Sequence, residues 1–140
     1  MKDLFNQINP KQCISPVSEA ANTAHVGSII DKSGYESLTY IISTGSIGDA
    51  GAEFTVLLEE DSAANMGTAT AVDDKDLLGT EVLASFIQSD DDKCFKLGYI
   101  GSKRYTRLTI TPTNNGTAAL FGVVALLGNP QLAPTVNPPA

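Results

Sequence analysis

Short apolar runs with a period of two recur along this chain, each closed by a turn signal. No amphipathic run is long enough for a major helix. "AEFTVLLEE" (52–60) alternates most cleanly, with Phe54, Val56 and Leu58 on one face and Glu53, Thr55 and Glu59 on the other. "ESLTYIIS" (36–43) sets Leu38, Tyr40 and Ile42 against Thr39, Ile41 and Ser43. "KQCISPV" (11–17) carries Pro16, which has no N–H for a ladder, and so reads as an edge strand. "AHVGSII" (24–30), "TEVLASFIQ" (80–88), "CFKLGYI" (94–100), "RYTRLTIT" (104–111) and "TAALFGVVALL" (117–127) complete a set of about eight strands. "GSK" reads as a short hairpin connection between 94–100 and 104–111, and "TGSIGDAG" (44–51) as a flexible one. The longer loop 61–78 has room for one helical turn at "DDKDLLG", capped by Asp73 or Asp74.

This pattern predicts an all-β fold: an antiparallel β-sandwich, jelly-roll-like, with a five- or six-stranded barrel as the alternative. Trp is absent and aromatics are few, so aliphatic side chains must fill most of the core. The run from Leu120 to Leu127 is apolar on both faces. It belongs at the centre of a sheet, covered on one side by the other sheet and on the other by the tail or another subunit. The ends read differently. Residues 1–10 form a polar N-terminal arm holding Phe5 and Ile8. Residues 129–140, "NPQLAPTVNPPA", form a proline-rich C-terminal arm holding Leu132, Pro134 and Val136, and proline cannot enter a sheet interior. The sandwich domain is therefore expected over 11–128.

Charge is distributed unevenly. Residues 49–92 contain twelve acids and one base, Lys75, whereas 93–140 contain five bases and no acid. An overall charge of −7 argues against a nucleic-acid partner, which needs a basic surface. Complementary protein faces fit better. "KRYTR" (103–107) supplies Arg104, Tyr105 and Arg107, residue types frequent at interfaces but equally able to pair within the chain. No apolar stretch approaches the length of a membrane span, and the N-terminus has no signal-peptide core. The reading is of a protein made in the cytoplasm, with no membrane partner.

Chemistry is hard to find. His25 is the single histidine, and neither a nucleophile elbow nor a phosphate-loop ending is present. The acidic turns could offer Asp74 with Asp76, or Asp90 with Asp92, to calcium, but neither has the glycine and terminal Glu of a calcium loop. Cys13 and Cys94 lack metal-site spacing and could form a disulfide only if their strands are neighbours. No enzyme, cofactor or metal is expected.

"LGYIGSKRYTRLTITPTNNGTAALFGVVALLGNP", together with "VGSIIDKSGYESLTYIISTGSIGDAGAEFTVLLEEDSAAN" and "LLGTE", resembles small proteins from tailed-phage and prophage head-gene clusters. The resemblance covers roughly residues 24–130 and lies in strand and turn phrases, with no catalytic motif. It points to capsid cement, or decoration, proteins, and extends to those of Bordetella podophages, jelly rolls that sit on the shell as dimers. It implies a virion structural protein on the outer capsid surface, binding the major capsid protein as a homodimer. A tail-tube or head–tail joining subunit, and a carbohydrate- or calcium-binding sandwich module, are the alternatives.

Overall fold

Alternate burial builds the fold, which a computed structural model describes for residues 2–139. After a 3₁₀ turn at Phe5–Gln7 come β1 (Ile8–Glu19), β2 (His25–Val26), β3 (Ile30–Asp31), β4 (Tyr35–Ile47), β5 (Glu53–Asp61) and β6 (Thr70–Ala71). A second 3₁₀ turn at Asp74–Asp76 leads to β7 (Leu77–Leu78), α1 (Glu81–Ala84) and β8 (Phe86–Ile87). The third, at Gln88–Asp90, precedes β9 (Cys94–Tyr99), β10 (Tyr105–Thr113) and β11 (Ala119–Pro130). Leu38, Tyr40 and Ile42 of β4 are buried, as are Phe54, Val56 and Leu58 of β5, on the faces that alternation assigned.

Two antiparallel sheets pack together. The first has the order β1-β11-β4-β9-β7, and the second β2-β10-β5-β6 with β3 also on β10 and β8 also on β5. With β2 counted with β3, β6 with β8, and the short β7 set aside, eight strand positions remain, four in each sheet, in the order of a jelly roll. Between the sheets, Phe54 and Phe86 stack at 4.8 Å, with Phe121 edge-on to both at 5.7 and 5.8 Å. The Tyr40 hydroxyl meets the Thr106 hydroxyl at 2.6 Å in this core, and burial pushes its ionisation up. As the two-faced apolar pattern requires, β11 is central, flanked by β1 and β4. β1 is an edge strand, as Pro16 indicated. Among the described residues no helix is long and apolar enough to cross a membrane.

Several expectations need correction. Residues 80–88 are not a strand throughout: the Thr80 hydroxyl accepts the Leu83 N–H at 3.0 Å and starts α1. An N-cap of this kind satisfies an otherwise free amide, and "EVLA" behind it has no β-branched run to oppose a turn. "GSK" does not close a hairpin, because β9 and β10 belong to different sheets. Residues 24–30 split at Gly27, whose N–H donates to Leu108 O at 2.8 Å, while the next amide, Ser28, donates to Cys13 O at 2.9 Å. That step ties the second sheet to the edge of the first. "TGSI" extends β4 to Ile47 where a flexible link was expected, and Gly45 is small because Leu120 lies on it. Cys13 and Cys94 are both free. Two strands separate β1 from β9, a span of about 14 Å at the usual strand spacing, about twice what a disulfide bridges.

The arms also shrink. Ile8–Pro10 belong to β1, and Asn129–Pro130 to β11. The tail then folds onto its own chain, where the Thr135 N–H donates to Asn6 O at 3.1 Å and its hydroxyl to Ile8 O at 2.6 Å. Gln131 N–H donates to Gly34 O at 2.9 Å.

Candidate interaction surface

The inner face of β11 buries Ala119, Phe121, Val123, Ala125 and Leu127. Its outer face presents Leu120, Gly122, Val124, Leu126 and Gly128. Register extends this outer face across the first sheet. One cross-strand row runs Pro10, Leu126, Thr39, Gly98, Leu78. The next runs Gln12, Val124, Ile41, Lys96, and a third Gly122, Ser43, Cys94. Ser18 lies beside Leu120 at one end, and Ile8, Gly128 and Ser37 close the other. Lys96 is the only charged side chain in these rows, in a chain whose residues are 18% charged.

Small residues keep the surface low. A Cβ on Gly122 would stand 3.3 Å from Pro16 Cα, and one on Gly98 2.8 Å from Leu78 Cβ. A groove of about 540 Å³ lies along the face, between Gln12, Pro16, Ile41, Gly45, Leu120 and Val124. The tail leaves it open, for its hydrogen bonds are made at the far end, and Leu120 is 43% exposed. With Lys96 its one charge, and Gln12 and a few hydroxyls among Leu120, Val124, Leu126, Ile41 and Leu78, the face is a largely apolar patch of the kind that contact surfaces use.

The sequence-based candidates fall elsewhere, in two groups at one end of the sandwich. Phe5, Leu132, Pro134 and Val136 are exposed around the Thr135 contacts. Of the eight candidates, only Ile8 reaches the apolar face. Arg104, Tyr105 and Arg107 sit on the second sheet and are taken up within the chain. Arg104 grips Asp31 with two bonds of 2.9 Å and lies 5.1 Å over the Tyr105 ring. Arg107 meets Glu59, its direct cross-strand neighbour, at 3.3 Å. Tyr99 anchors the adjoining loop: its hydroxyl donates to Glu60 at 2.5 Å and accepts the Lys103 N–H at 3.0 Å. Burial first, then the Glu60 bond, push that phenol's ionisation up.

Several other titratable groups serve turns and edges. His25 is hydrogen-bonded to Glu19 and stands edge-on to Phe121 at 5.4 Å. Among the described residues no Ser, Thr or Cys hydrogen-bonds that ring. No cluster of three metal-binding side chains occurs among the described residues. Asp90 accepts the Ile87 N–H at 3.1 Å, and Asp61 accepts those of Ala63 at 3.0 Å and Thr68 at 2.9 Å. These carboxylates hold loops together.

The apolar face was visible in sequence only as the two-faced run 120–127. Ile41, Pro10 and Leu78 join it through strand pairing, which no local pattern announces.

No protein-family model matches the chain, and no curated protein matches it. Among solved structures, a crystal structure of PirA matches at 12% identity and a TM-score of 0.42, covering 92% of this chain and 99% of that one. The CBM22-1–GH10 modules of Clostridium thermocellum xylanase 10B, crystallised with xylohexaose, match at 10% identity and a TM-score of 0.40, over 95% of this chain and 28% of that one. The SPBc2 prophage-derived protein YomS matches at 11% identity and a TM-score of 0.34, over 86% of this chain and 95% of that one. Likenesses this distant carry nothing about what the chain binds.

Proposed function

We propose that this chain is a non-enzymatic virion structural protein that cements a tailed-phage capsid, docking on the outside of the major capsid protein shell as a homodimer. The observation that carries the reading is the outer face of the first sheet, largely apolar and with Lys96 as its one charge. Two copies pair through this face, sheet on sheet. Three strands about 4.8 Å apart that overlap for about ten residues, with β9 adding about six more, present roughly 550 Å² per copy, or about 1,100 Å² for the pair, above the roughly 1,000 Å² that a specific interface needs. Lys96 lies on β9, to one side of the groove, so a twofold axis along β11 sends the two charges to opposite margins.

The terminal segments then meet the shell. Phe5, Leu132 and Val136 are exposed together near Thr135 and present apolar anchors at the end of each subunit. Many such weak contacts act jointly around a closed shell. Binding only the assembled lattice stabilises it by mass action.

Sedimentation velocity tests the pairing. Wild type should sediment at twice 14.7 kDa, and Val124→Glu as a monomer with an unchanged unfolding midpoint. A monomeric wild type contradicts the pairing. Closed rings would favour the joining-subunit alternative, since rings need a head-to-tail interface.

A further inference from the structure

A second groove lies where the sandwich opens between the edge strand β1 and the segment carrying β3. It encloses about 400 Å³, within the range of small-ligand pockets. Buried Ile30 and Leu127 give it an apolar floor, and Asn9, Lys11, Gln12, Ser28 and Tyr35 stand around it. Asn9 is only 6% exposed. Its Nδ2 donates to the Tyr35 hydroxyl at 2.8 Å, but its Oδ1 has no hydrogen-bond partner among the described residues. A buried amide oxygen left without a donor is uncommon, because it has lost its water and gained nothing in return.

The charges on the rim select the ligand. Asp31 is held by Arg104 through two bonds and also accepts the Ser33 N–H, so its charge is compensated. Lys11 makes no ion pair among the described residues. One free ammonium beside a compensated carboxylate is a poor anion site. Hydroxyl, amide and ammonium groups over an aliphatic floor instead suit a ligand with hydroxyls around its rim and an apolar C–H face. We propose that this groove binds a neutral sugar, one or two pyranose rings of a glycan. The groove opens on the flank of the sandwich and shares only Gln12 with the groove on the pairing face, so its test stands apart from that of the dimer.

Amide chemical-shift titration of the whole protein tests it, using glucose, galactose, N-acetylglucosamine and maltose, with sodium phosphate as the anion probe. At least one sugar at about 20 mM should give saturable shifts confined to Asn9, Lys11, Gln12 and residues 28–35, with a Kd on the order of millimolar for so small a ligand. Lys11→Met and Ser28→Ala should each weaken binding about fivefold or more, the loss of one hydrogen bond, while the unfolding midpoint holds. Three results overturn it: no saturable shift at those residues with any sugar, binding by phosphate in place of sugars, or variants that bind like wild type.

Discussion

The carboxylate of Glu81 accepts the backbone N–H of Leu58 at 2.6 Å. Next to it, the Ser85 hydroxyl accepts the N–H of Val56 at 3.0 Å. α1 is only a turn long, yet it and its C-cap, Ser85, supply both side chains to the stretch of β5 between its pairings with β6 and β8. An open strand edge with free donors is a template for aggregation, and these two side chains close it. Glu81→Ala should cost about 1.5–3 kcal/mol, the range for a hydrogen bond to a charged group. Urea unfolding measures this, and light scattering near the midpoint should rise in the variant. A loss below about 0.5 kcal/mol would show that the bond contributes nothing net.

Gly27 is the step between β2 and β3 that ties the second sheet to the edge of the first, and it has no room for a side chain. A Cβ there would stand 2.5 Å from Cys13 Sγ and 2.6 Å from Leu108 O. Gly27→Ala should destabilise by about 1–3 kcal/mol, the usual cost of overpacking. Adding Cys13→Ala should recover only part of the loss, since the Leu108 carbonyl is backbone and stays. Full recovery in the double variant would contradict this account of the step at Gly27.

Acid should weaken the fold by a defined route. The hydrogen bond from His25, then that from the Ala21 N–H at 2.7 Å, hold the Glu19 carboxyl below the usual carboxylate range. Arg104 does the same for Asp31, and the backbone of Ala63, followed by Thr68, for Asp61. A carboxylate with a depressed folded-state pKa stabilises the fold above its unfolded value of about 4. That contribution is lost as pH falls through the lower folded value. The urea midpoint should therefore drop below about pH 4, and Glu19→Gln should both lower it at neutral pH and flatten the drop. An unchanged acid limb in Glu19→Gln would remove Glu19 from the explanation.

Period-two alternation made β4 and β5 legible, because each has one face in the core and one in water. It also put β11 at a sheet centre, since an edge or one-sided strand would not be apolar on both faces. Local pattern failed where a distant partner decides. The run 80–88 alternates well enough for a strand, but Thr80 caps a turn there, and α1 is kept by the β5 amides it covers. "GSK" has hairpin length, yet Tyr99 and Tyr105 enter different sheets. Arg104, Tyr105 and Arg107 had the composition of an interface, and Asp31 and Glu59, far away in sequence, absorb two of them. The apolar face needed register: Val124 meets Ile41 and Gln12 only after three strands have paired.

The terminal segments should matter for attachment more than for folding. Removing 131–140 takes away the Thr135 bonds but leaves every strand intact. The truncated chain should still unfold cooperatively, with a midpoint close to that of the full chain. Its affinity for shells should fall at least tenfold, as when one anchor of a multivalent contact is lost. Shell binding equal to that of the full chain would move the contact away from Leu132 and Val136.

Co-sedimentation with empty shells of the cognate major capsid protein, expanded and unexpanded, tests the cement reading most directly. Saturable binding to the expanded shell alone, at a fixed ratio to capsid subunits, is the predicted result. Absence of binding to either shell at micromolar protein and moderate salt would contradict it.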